Sequence, residues 1–313
     1  MRYFLPLVAA ALALAVACTK PGPTGVSVPS AFRSYVPPDA KALAVADLNS
    51  FKHSDFYKRH QSELNVPLLD AMSEGIGLDP RRDLSQVLIS WNGKQTALLA
   101  RGHLSMDALE AKFASLGMRR VRYKNYTLFG DERDALAFGK HDVVIAGPAA
   151  GVRAELDIAS SHNGEVPEEL QPLLAAIPKR DQFWAVSRGQ LPITEMRLRS
   201  DIDSALSNFV DYIGAATLGV GFDDGTHVAA QFICVSDEGA KRVHDALRGG
   251  IGLARLATRD NELDMLRLWD SIQVSQDRQT VRVNADLSAS LTDKLLVNLQ
   301  ELRGRAGEVL RER

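Results

Sequence analysis

The sequence predicts an α+β protein of two related units, each an antiparallel sheet with helices on one face, followed by a C-terminal helix. Three observations support this prediction. Hydrophobic residues make up 45% and charged residues 24% of the chain, as in ordinary globular domains. The order strand, helix, two strands, helix, two strands occurs twice. Matching residues of the two passes lie 141 positions apart, as Pro37 and Pro178 or Ala44 and Ala185 do.

The first 17 residues have the features of a signal peptide. Arg2 supplies a positive charge, and Tyr3–Ala17 form an uncharged run rich in Leu, Ala and Val. As a helix this run would rise only ~22 Å, which is short of the ~30 Å hydrocarbon core of a bilayer. Small residues at its end suit the pocket of a signal peptidase. The segment therefore predicts export rather than a permanent membrane span.

Cys18 directly follows Ala15-Val16-Ala17. This arrangement resembles the lipobox of bacterial lipoproteins, in which the Cys thiol is acylated and becomes the new N-terminus. Leu is the commonest residue three positions before that Cys, whereas Ala15 stands there in this chain. The resemblance implies a lipid on Cys18, attachment to a bacterial membrane and a body in the periplasm. The alternative interpretation is a plain secretory signal with an incidental Cys.

Residues 18–34 are predicted to form the lipidated Cys and a flexible tether. Thr19–Ser34 contains three prolines and two glycines among Ser, Thr and Val, and such a composition is typical of segments that bury little apolar surface. The first unit, residues 35–165, then begins with the apolar run Ala42–Leu48, which has the length of a strand. His162–Pro172 is polar and predicts the connector to a second unit, residues 170–290.

Each unit contains a predicted hairpin. Asn92-Gly93 and Asp224-Gly225 separate strand-like runs, and these dipeptides are typical of tight turns whose central residues need positive φ. Each hairpin leads into a helix, capped by Ser105 in the first unit and by Ser236 in the second. Further strand pairs follow: Tyr126–Phe129 with Ala135–Phe138, and Ile272–Val274 with Thr280–Val283.

The helix that opens each unit is less regular. The first is predicted over Ser54–Leu64, with a second segment from Pro67 through Gly75. In the second unit Ile202, Leu206, Phe209 and Ile213 form an apolar helical stripe. Residues 291–313 predict a C-terminal amphipathic helix with a seam at Leu295, Leu299, Leu302, Ala306 and Val309. We expect this helix to pack on its own domain, with docking to an envelope protein partner or self-association as the alternative.

No motif for nucleotide binding, zinc binding or serine hydrolysis occurs in the sequence. His53, Tyr57 and His60 share one helical face, but two His and a Tyr fall short of the ligand set that zinc takes. Carboxylate clusters such as Asp131-Glu132 and Asp223-Asp224 fit turns rather than calcium loops. We therefore assign no catalytic, cofactor-binding or metal-binding residue, and lipidation of Cys18 is the one site prediction.

The remaining composition restricts the partners. The formal net charge of -2 lacks the basic excess that nucleic-acid binding needs. Acylation of Cys18 would leave Cys234 without a disulfide partner, in a run that predicts a buried strand. Trp91 precedes a hairpin turn, where we expect cross-strand pairing rather than a ligand anchor.

The start of the body, Val36-Pro37-Pro38-Asp39-Ala40 before a strand that ends in Asp47-Leu48, resembles a group of uncharacterised bacterial envelope proteins. This resemblance implies an envelope location and no activity. The leading hypothesis is a non-enzymatic envelope lipoprotein that acts as a scaffold or binding protein. The alternatives are a hydrolase with a site between the units, or a small-ligand receptor. A cleft with converging His and Asp would favour the hydrolase, and a deep apolar cleft the receptor.

Overall fold

The computed structural model describes residues 25–64, 74, 78–189 and 210–297. The described residues form one antiparallel sheet of 12 strands. In chain order the strands are β1 (Ala42–Asp47), β2 (Leu84–Trp91), β3 (Thr96–Gly102), β4 (Arg120–Tyr123), β5 (Tyr126–Gly130), β6 (Asp134–Phe138), β7 (Val143–Pro148), β8 (Phe183–Arg188), β9 (Ile213–Gly221), β10 (Thr226–Cys234), β11 (Ile272–Asp277) and β12 (Thr280–Leu287).

Helices connect these strands. They are α1 (Ser30–Arg33), α2 (Leu48–His53), α3 (Asp55–His60), α4 (Pro80–Asp83), α5 (Met106–Ser115), α6 (Ala149–Ser161), α7 (Gln171–Ala175), α8 (Asp237–Ala257), α9 (Leu263–Ser271) and α10 (289–297). A short 3₁₀ turn covers Glu168–Leu170. The predicted α+β class is confirmed by this combination of helices and antiparallel strands.

The two halves of the chain share one sheet, whereas the sequence predicted one sheet for each unit. The strand order is β11-β12-β10-β9-β8-β1-β2-β3-β7-β6-β5-β4, so β1 and β8 join the halves. Ala44 lies opposite Ala185 in this pair. Adding 141 to the bounds of β1 gives the bounds of β8, which fits the predicted offset. The internal duplication itself stays a prediction.

One side of the sheet, here called the core face, carries the main hydrophobic core. Leu43, Val45, Leu88 and Leu99 project from it, and residues of α1, α6 and α7 pack against them. The same core includes Trp184 and Val186 from β8 and Leu170 from the predicted connector. The predicted units 35–165 and 170–290 therefore share this main core, because the β1–β8 pair makes it continuous. Two smaller clusters, around Phe113 and around Val243, each lie within one unit.

The flexible tether was predicted to continue to residue 34, but residues 25–34 are packed against the body. Val28 and Phe32 are 1% and 0% exposed, and the backbone N–H of Val26 donates to the carbonyl of Ile177 at 3.0 Å. Residues 25–34 therefore belong to the core and not to a flexible segment. The apolar side chains among the prolines and glycines explain this, since burying them offsets the cost of ordering the backbone. The part of the prediction before residue 25 lies outside the described residues.

Helices also pack on the opposite side of the sheet, here called the groove face. The prediction of helices on only one face of each sheet is therefore wrong. Leu109 and Phe113 of α5 pack there with Phe129, and Ala240 and Val243 of α8 pack there with other residues. Helices pack on both sides because strands carry apolar residues at odd and even positions, as in Leu128-Phe129.

Both predicted hairpins and both predicted caps are confirmed. The hairpins are β2–β3 and β9–β10, and Ser105 and Ser236 accept backbone hydrogen bonds at the starts of α5 and α8. The turns differ from the prediction, because only Gly93 (φ +94°) and Gly225 (φ +99°) take positive φ. Each loop has four residues, so one glycine suffices to reverse the chain.

Two helix predictions need correction. Ile213 begins β9, so the apolar stripe proposed through it cannot be helical there; its other three members lie outside the described residues. The predicted helix Ser54–Leu64 is shorter, because α3 ends at His60. The segment from Pro67 through Gly75 is described only at Glu74.

The C-terminal helix begins at residue 289, and its described part packs on the same chain. Leu295 is 8% exposed, and Thr292 Oγ1 lies 3.1 Å from Thr226 Oγ1. This agrees with the expected packing of the helix on its own domain. Residues 298–313, which include the rest of the seam, lie outside the described residues.

Candidate functional site

The groove face carries a continuous row of apolar side chains. In the centre Ala44 pairs with Ala185 on β8 and with Ile89 on β2. Side chains alternate between the faces of a strand, so partners in register project from the same face. The full row spans eight strands and comprises Val283, Ala230, Leu218, Ala185, Ala44, Ile89, Leu98 and Ala146.

Small residues in the middle of this row create a groove. Leu218 and Ile89 are separated by Ala185 and Ala44, hence by three strand spacings or about 14 Å. The groove has a volume of about 700 Å³. Leu218 remains 42% exposed and Ile89 41% exposed, although both are large hydrophobic residues in the middle of a sheet. The floor of the groove is recessed relative to Leu218 and Ile89, because an alanine side chain is only a methyl group.

Aromatic residues occupy the groove face at the end where β8 begins. Phe51 of α2 contacts Phe183 and Phe222 edge-on, each at 5.1 Å between ring centroids. Phe56 of α3 stacks on Phe222 at 5.0 Å. Such ring pairs add to area burial and hold α2 and α3 against the sheet. This aromatic cluster lies on the groove face two residues before Ala185, at the start of β8.

The opposite end of the groove is formed by Trp91, Thr96 and Ser187. Trp91 lies opposite Thr96 on β3 and Ala42 on β1, so the expected cross-strand pairing is confirmed. Ser187 is 5% exposed, and its buried hydroxyl has no hydrogen-bond partner among the described residues. A buried hydroxyl without a partner is unfavourable. Ser187 is thus a buried polar group beside a mainly apolar lining that also includes Thr96 and Thr217.

The residues weighed as a metal site are separated in the structure. His53 Nδ1 lies 2.7 Å from the carbonyl of Asn49, whereas His60 is 2.9 Å from Glu63 and 2.7 Å from Asp293. Burial lowers the pKa of His60, but the hydrogen bonds to Glu63 and Asp293 outweigh it and raise that pKa. His60 therefore links α3 to α10. Among the described residues no group of three His, Cys, Asp or Glu side chains is arranged to hold a metal ion.

Two buried acids lie outside the groove. Glu155 of α6 accepts a 2.6 Å hydrogen bond from Ser90 Oγ, and burial raises its pKa to about 8. Asp181 has no hydrogen-bond partner for either oxygen in the described part of the chain, and burial raises its pKa as well. A Cβ at Gly219 would collide with the Asp181 carboxylate. Both acids are packed against the core face of the sheet and belong to its interior.

The described histidines were compared with the arrangement that a nucleophilic hydrolase needs. Histidines pair with carboxylates, as His227 does with Asp286 at 2.6 Å, but no described Ser or Cys side chain hydrogen-bonds to a histidine. Cys234 is free and 3% exposed, and burial raises its pKa, as expected for a core residue. Asp131 accepts from the backbone N–H groups of Arg133 and Asp134, which confirms its predicted turn role.

The groove is not predicted by the sequence patterns described above, because it depends on pairing between residues 141 positions apart. A signal was present in the strands themselves. Ala42–Asp47 and Phe183–Arg188 have apolar residues at both odd and even positions, which indicates a strand that is apolar on both faces. The alanines at even positions in β1 mark the face with less side-chain volume.

Within the described residues, no helix has both the length and the apolar character needed to cross a membrane. No protein-family model matches the chain. No curated protein matches it significantly.

Among solved structures, three crystal forms of TP0453 align with most of the chain. Form I has a TM-score of 0.45 and 9% identity, over 87% of this chain and 98% of the other. Form III has a TM-score of 0.48 and 10% identity, over 87% and 99%. Form IV has a TM-score of 0.46 and 8% identity, over 84% and 96%. These TM-scores fall below the value that establishes a shared fold.

Proposed function

We propose that this chain is an exported, lipid-anchored protein of the bacterial cell envelope that binds a hydrocarbon chain in its groove. The observation that carries the proposal is the apolar groove between Leu218 and Ile89, formed jointly by strands of both halves. Of the hypotheses drawn from the sequence, an apolar cleft between the halves favours the small-ligand receptor.

The chemistry of the lining selects the ligand. Most of the side chains that line the groove are alanine, leucine, isoleucine or phenylalanine, which offer no hydrogen bonds. A ligand with polar groups along its length would therefore gain little in exchange for its lost hydration. An acyl chain has no such groups, and each buried CH₂ contributes about 0.8 kcal/mol. The volume of about 700 Å³ lies within the usual range for ligand pockets.

The proposed anchor places the body next to a source of acyl chains. Lipidation of Cys18 would attach the chain to a membrane, and the described part of the body begins at residue 25. Residues 18–24 can span at most about 25 Å when fully extended. In this proposal the body lies in the periplasm, close to the membrane surface.

The test is a binding measurement with the mature chain carrying Cys18→Ser, purified without detergent. A fatty acid with a terminal environment-sensitive fluorophore should bind saturably and be displaced by unlabelled oleate. Its emission should shift to shorter wavelength, because the lining of the groove is largely apolar. A linear, non-displaceable signal up to the solubility limit of the probe would refute binding in the groove.

A protein partner that docks through the C-terminal helix also stays a proposal. The described part of that helix is already engaged: Asp293 contacts Arg59 and His60, and Lys294 lies 3.6 Å from Asp264. A partner would therefore have to use the remainder of residues 291–313. In-cell crosslinking of the full chain and of a chain ending at residue 297 would test this, with loss of a specific crosslinked protein as the supporting result.

A further inference from the structure

The described start of the C-terminal helix lies on the same face of the sheet as the groove. Thr292 of α10 contacts Thr226 of β10, with 3.1 Å between their Oγ1 atoms. Thr226 and Ala230 are four residues apart on β10, so both side chains project from the groove face. Ala230 lines the groove. The contact at Thr226 therefore holds α10 on the groove face, about 13 Å along β10 from the groove lining.

Contacts on two sides hold α10 at this position. On one side His60 Nε2 of α3 lies 2.7 Å from Asp293 Oδ1, and the His60 ring contacts the aromatic cluster at 5.1 Å between ring centroids. On the other side Lys294 Nζ lies 3.6 Å from Asp264 of α9. The helix therefore lies between α3 and α9, next to the aromatic cluster. Val297, the last described residue, is 45% exposed.

The sequence beyond the described residues continues the apolar side of this helix. At alternating spacings of four and three, Leu295 is followed by Leu299, Leu302, Ala306 and Val309. Leu295 is 8% exposed, so the first position of this seam already packs on the chain. A helix over residues 298–313 would be marginal in water by itself, because it is short and contains Gly304 and Gly307. Packing its apolar side on a surface would stabilise it.

The groove has the size and the chemistry of such a surface. Leu218 and Ile89 lie about 14 Å apart, and an α-helix with its side chains is about 10–12 Å wide. The recessed alanine floor leaves room for leucine side chains above it. As a helix, residues 298–313 would extend about 24 Å. This length exceeds the distance of about 13 Å along β10 between Thr226 and the groove lining.

We propose that residues 298–313 dock in the groove as an autoinhibitory segment, with their apolar side on Ala44 and Ala185. The hydrocarbon ligand and this segment then compete for one surface. A ligand binds only when the segment has left, so the measured affinity falls with the fraction of chains whose groove is free. The competition rests on the proposed function, whereas the docking of the segment does not.

A single charge in the seam tests the competition in the full-length Cys18→Ser chain. Leu302→Asp would place a carboxylate against the apolar floor, where its burial is unfavourable. We expect this variant to bind the fluorescent fatty acid about fivefold more tightly than its parent, as occupancy of about 80% of the grooves by the segment implies. The matched control is Gln300→Asp, which adds the same charge on the opposite side of the helix and should leave the affinity unchanged.

Crosslinking in the same chain locates the segment independently of any ligand. The variant Leu218→Cys/Leu302→Cys carries one thiol on the wall of the groove and one in the seam, and a short bis-maleimide should join them within one molecule. Added oleate should reduce this crosslinking. The control is Leu116→Cys/Leu302→Cys, because Leu116 is 51% exposed at the end of α5, away from the groove lining. It should give little intramolecular product.

The outcomes separate the two proposals. Equal, measurable affinities of Leu302→Asp and Gln300→Asp, or equal crosslinking of the two cysteine pairs, would overturn the inference and leave the ligand proposal intact. Crosslinks between two molecules, seen as dimers on a denaturing gel, would assign the groove to a second copy and overturn it as well. Intramolecular crosslinking at Leu218 without saturable binding of the fatty acid in any variant would support the docked segment and refute the proposed ligand.

Discussion

Ala44 and Ala185 face each other in the central strand pair, and their methyl groups form the floor of the groove between Ile89 and Leu218. Neither side chain is needed to fill the core on the other side of the sheet. Larger residues at these two positions would occupy the groove without disturbing that core. Substitutions at Ala44 and Ala185 therefore test directly whether a ligand binds in the groove.

The variant Ala185→Phe is expected to weaken binding of the fluorescent fatty acid at least tenfold, because the ring would fill the space of the ligand. The change in stability should be small, since the ring projects into open volume. Ala114→Phe on the exposed side of α5 is the matched control and should bind normally. Unchanged affinity in Ala185→Phe, measured by titration, would place the ligand elsewhere.

Lipidation of Cys18 is tested by metabolic labelling. Labelled fatty acid should enter the wild-type chain in bacteria and not the Cys18→Ser variant, because the thiol is the acylated group. The acylated chain should also partition into detergent while the variant stays in the aqueous phase. Equal labelling of both chains would show that Cys18 is not the attachment site.

Phe32→Ala is expected to destabilise the protein by about 3–5 kcal/mol, because Phe32 is 0% exposed and its removal leaves a cavity in the core. Urea unfolding followed by circular dichroism measures the loss. The control is Leu116→Ala, which truncates a residue that is 51% exposed and should change stability little. An effect of Phe32→Ala as small as that of the control would restore the view that residues 25–34 are a tether.

Glu155 should make stability depend on pH. Native Glu155 keeps its proton up to about pH 8, whereas the unfolded chain releases it near its ordinary pKa of 4.5. Between these values the native state binds more protons, so stability should fall as pH rises, by at most about 1.4 kcal/mol per pH unit. Stability due to this group is fully present below the unfolded pKa.

The variant Glu155→Gln should remove this pH dependence. Its stability relative to the wild type should therefore increase as pH rises from about 5 to about 8. Gln preserves the shape of the side chain and can still accept from Ser90. The exposed acid Glu165 provides the control Glu165→Gln, whose unfolding curves should track the wild type. Parallel pH profiles for wild type and Glu155→Gln would show that Glu155 ionises normally.

His60 and Asp293 should stabilise the contact between α3 and α10 mainly at mildly acidic pH. The raised pKa of His60 means that its contribution is present below about pH 6.5 and is lost as pH rises through the folded pKa. The pKa of Asp293 is lowered: burial opposes this, but the hydrogen bonds from His60 and Arg59 prevail. The carboxylate therefore keeps its charge to a lower pH than an ordinary Asp does.

A double-mutant cycle with His60→Gln and Asp293→Asn measures this contact. We expect a coupling of about 1–2 kcal/mol near pH 5.5 and a smaller one near pH 8.5. The exposed pair Asp55 and Lys58 gives a control cycle that should show weak coupling at both values. A coupling that does not change with pH would mean that His60 acts as a neutral hydrogen-bonding group.

Local features of this fold could be predicted from the sequence, because they depend on neighbouring residues. Ser105 and Ser236 cap helices through side chains that reach only three residues ahead, and Gly93 and Gly225 reverse the chain within a loop. Long-range features could not. The pairing of β1 with β8 and the burial of Phe32 depend on which distant surfaces meet.

The groove is one of the long-range features that could not be predicted from the sequence. Ala44, Ala185 and Ser187 are unremarkable in sequence, and each acquires its role from the neighbours that strand register provides. Polar residues in motif-like spacing drew attention to His53 and His60, but the structure assigns these to a backbone contact and a helix contact. A groove that forms above small side chains has no characteristic sequence motif by which it could be predicted.

The central position of β1 also has a kinetic consequence. Its partner β8 is 141 residues further along the chain, whereas β2 and β3 pair across a four-residue loop. Closing so long a loop costs entropy before any contact is gained, so hairpins should assemble first and the β1–β8 seam last. Until β8 has been synthesised and released, one edge of β1 remains unpaired. The seam is therefore the step that commits the chain to its native state, and slow folding should track mutations at Ala44 and Ala185.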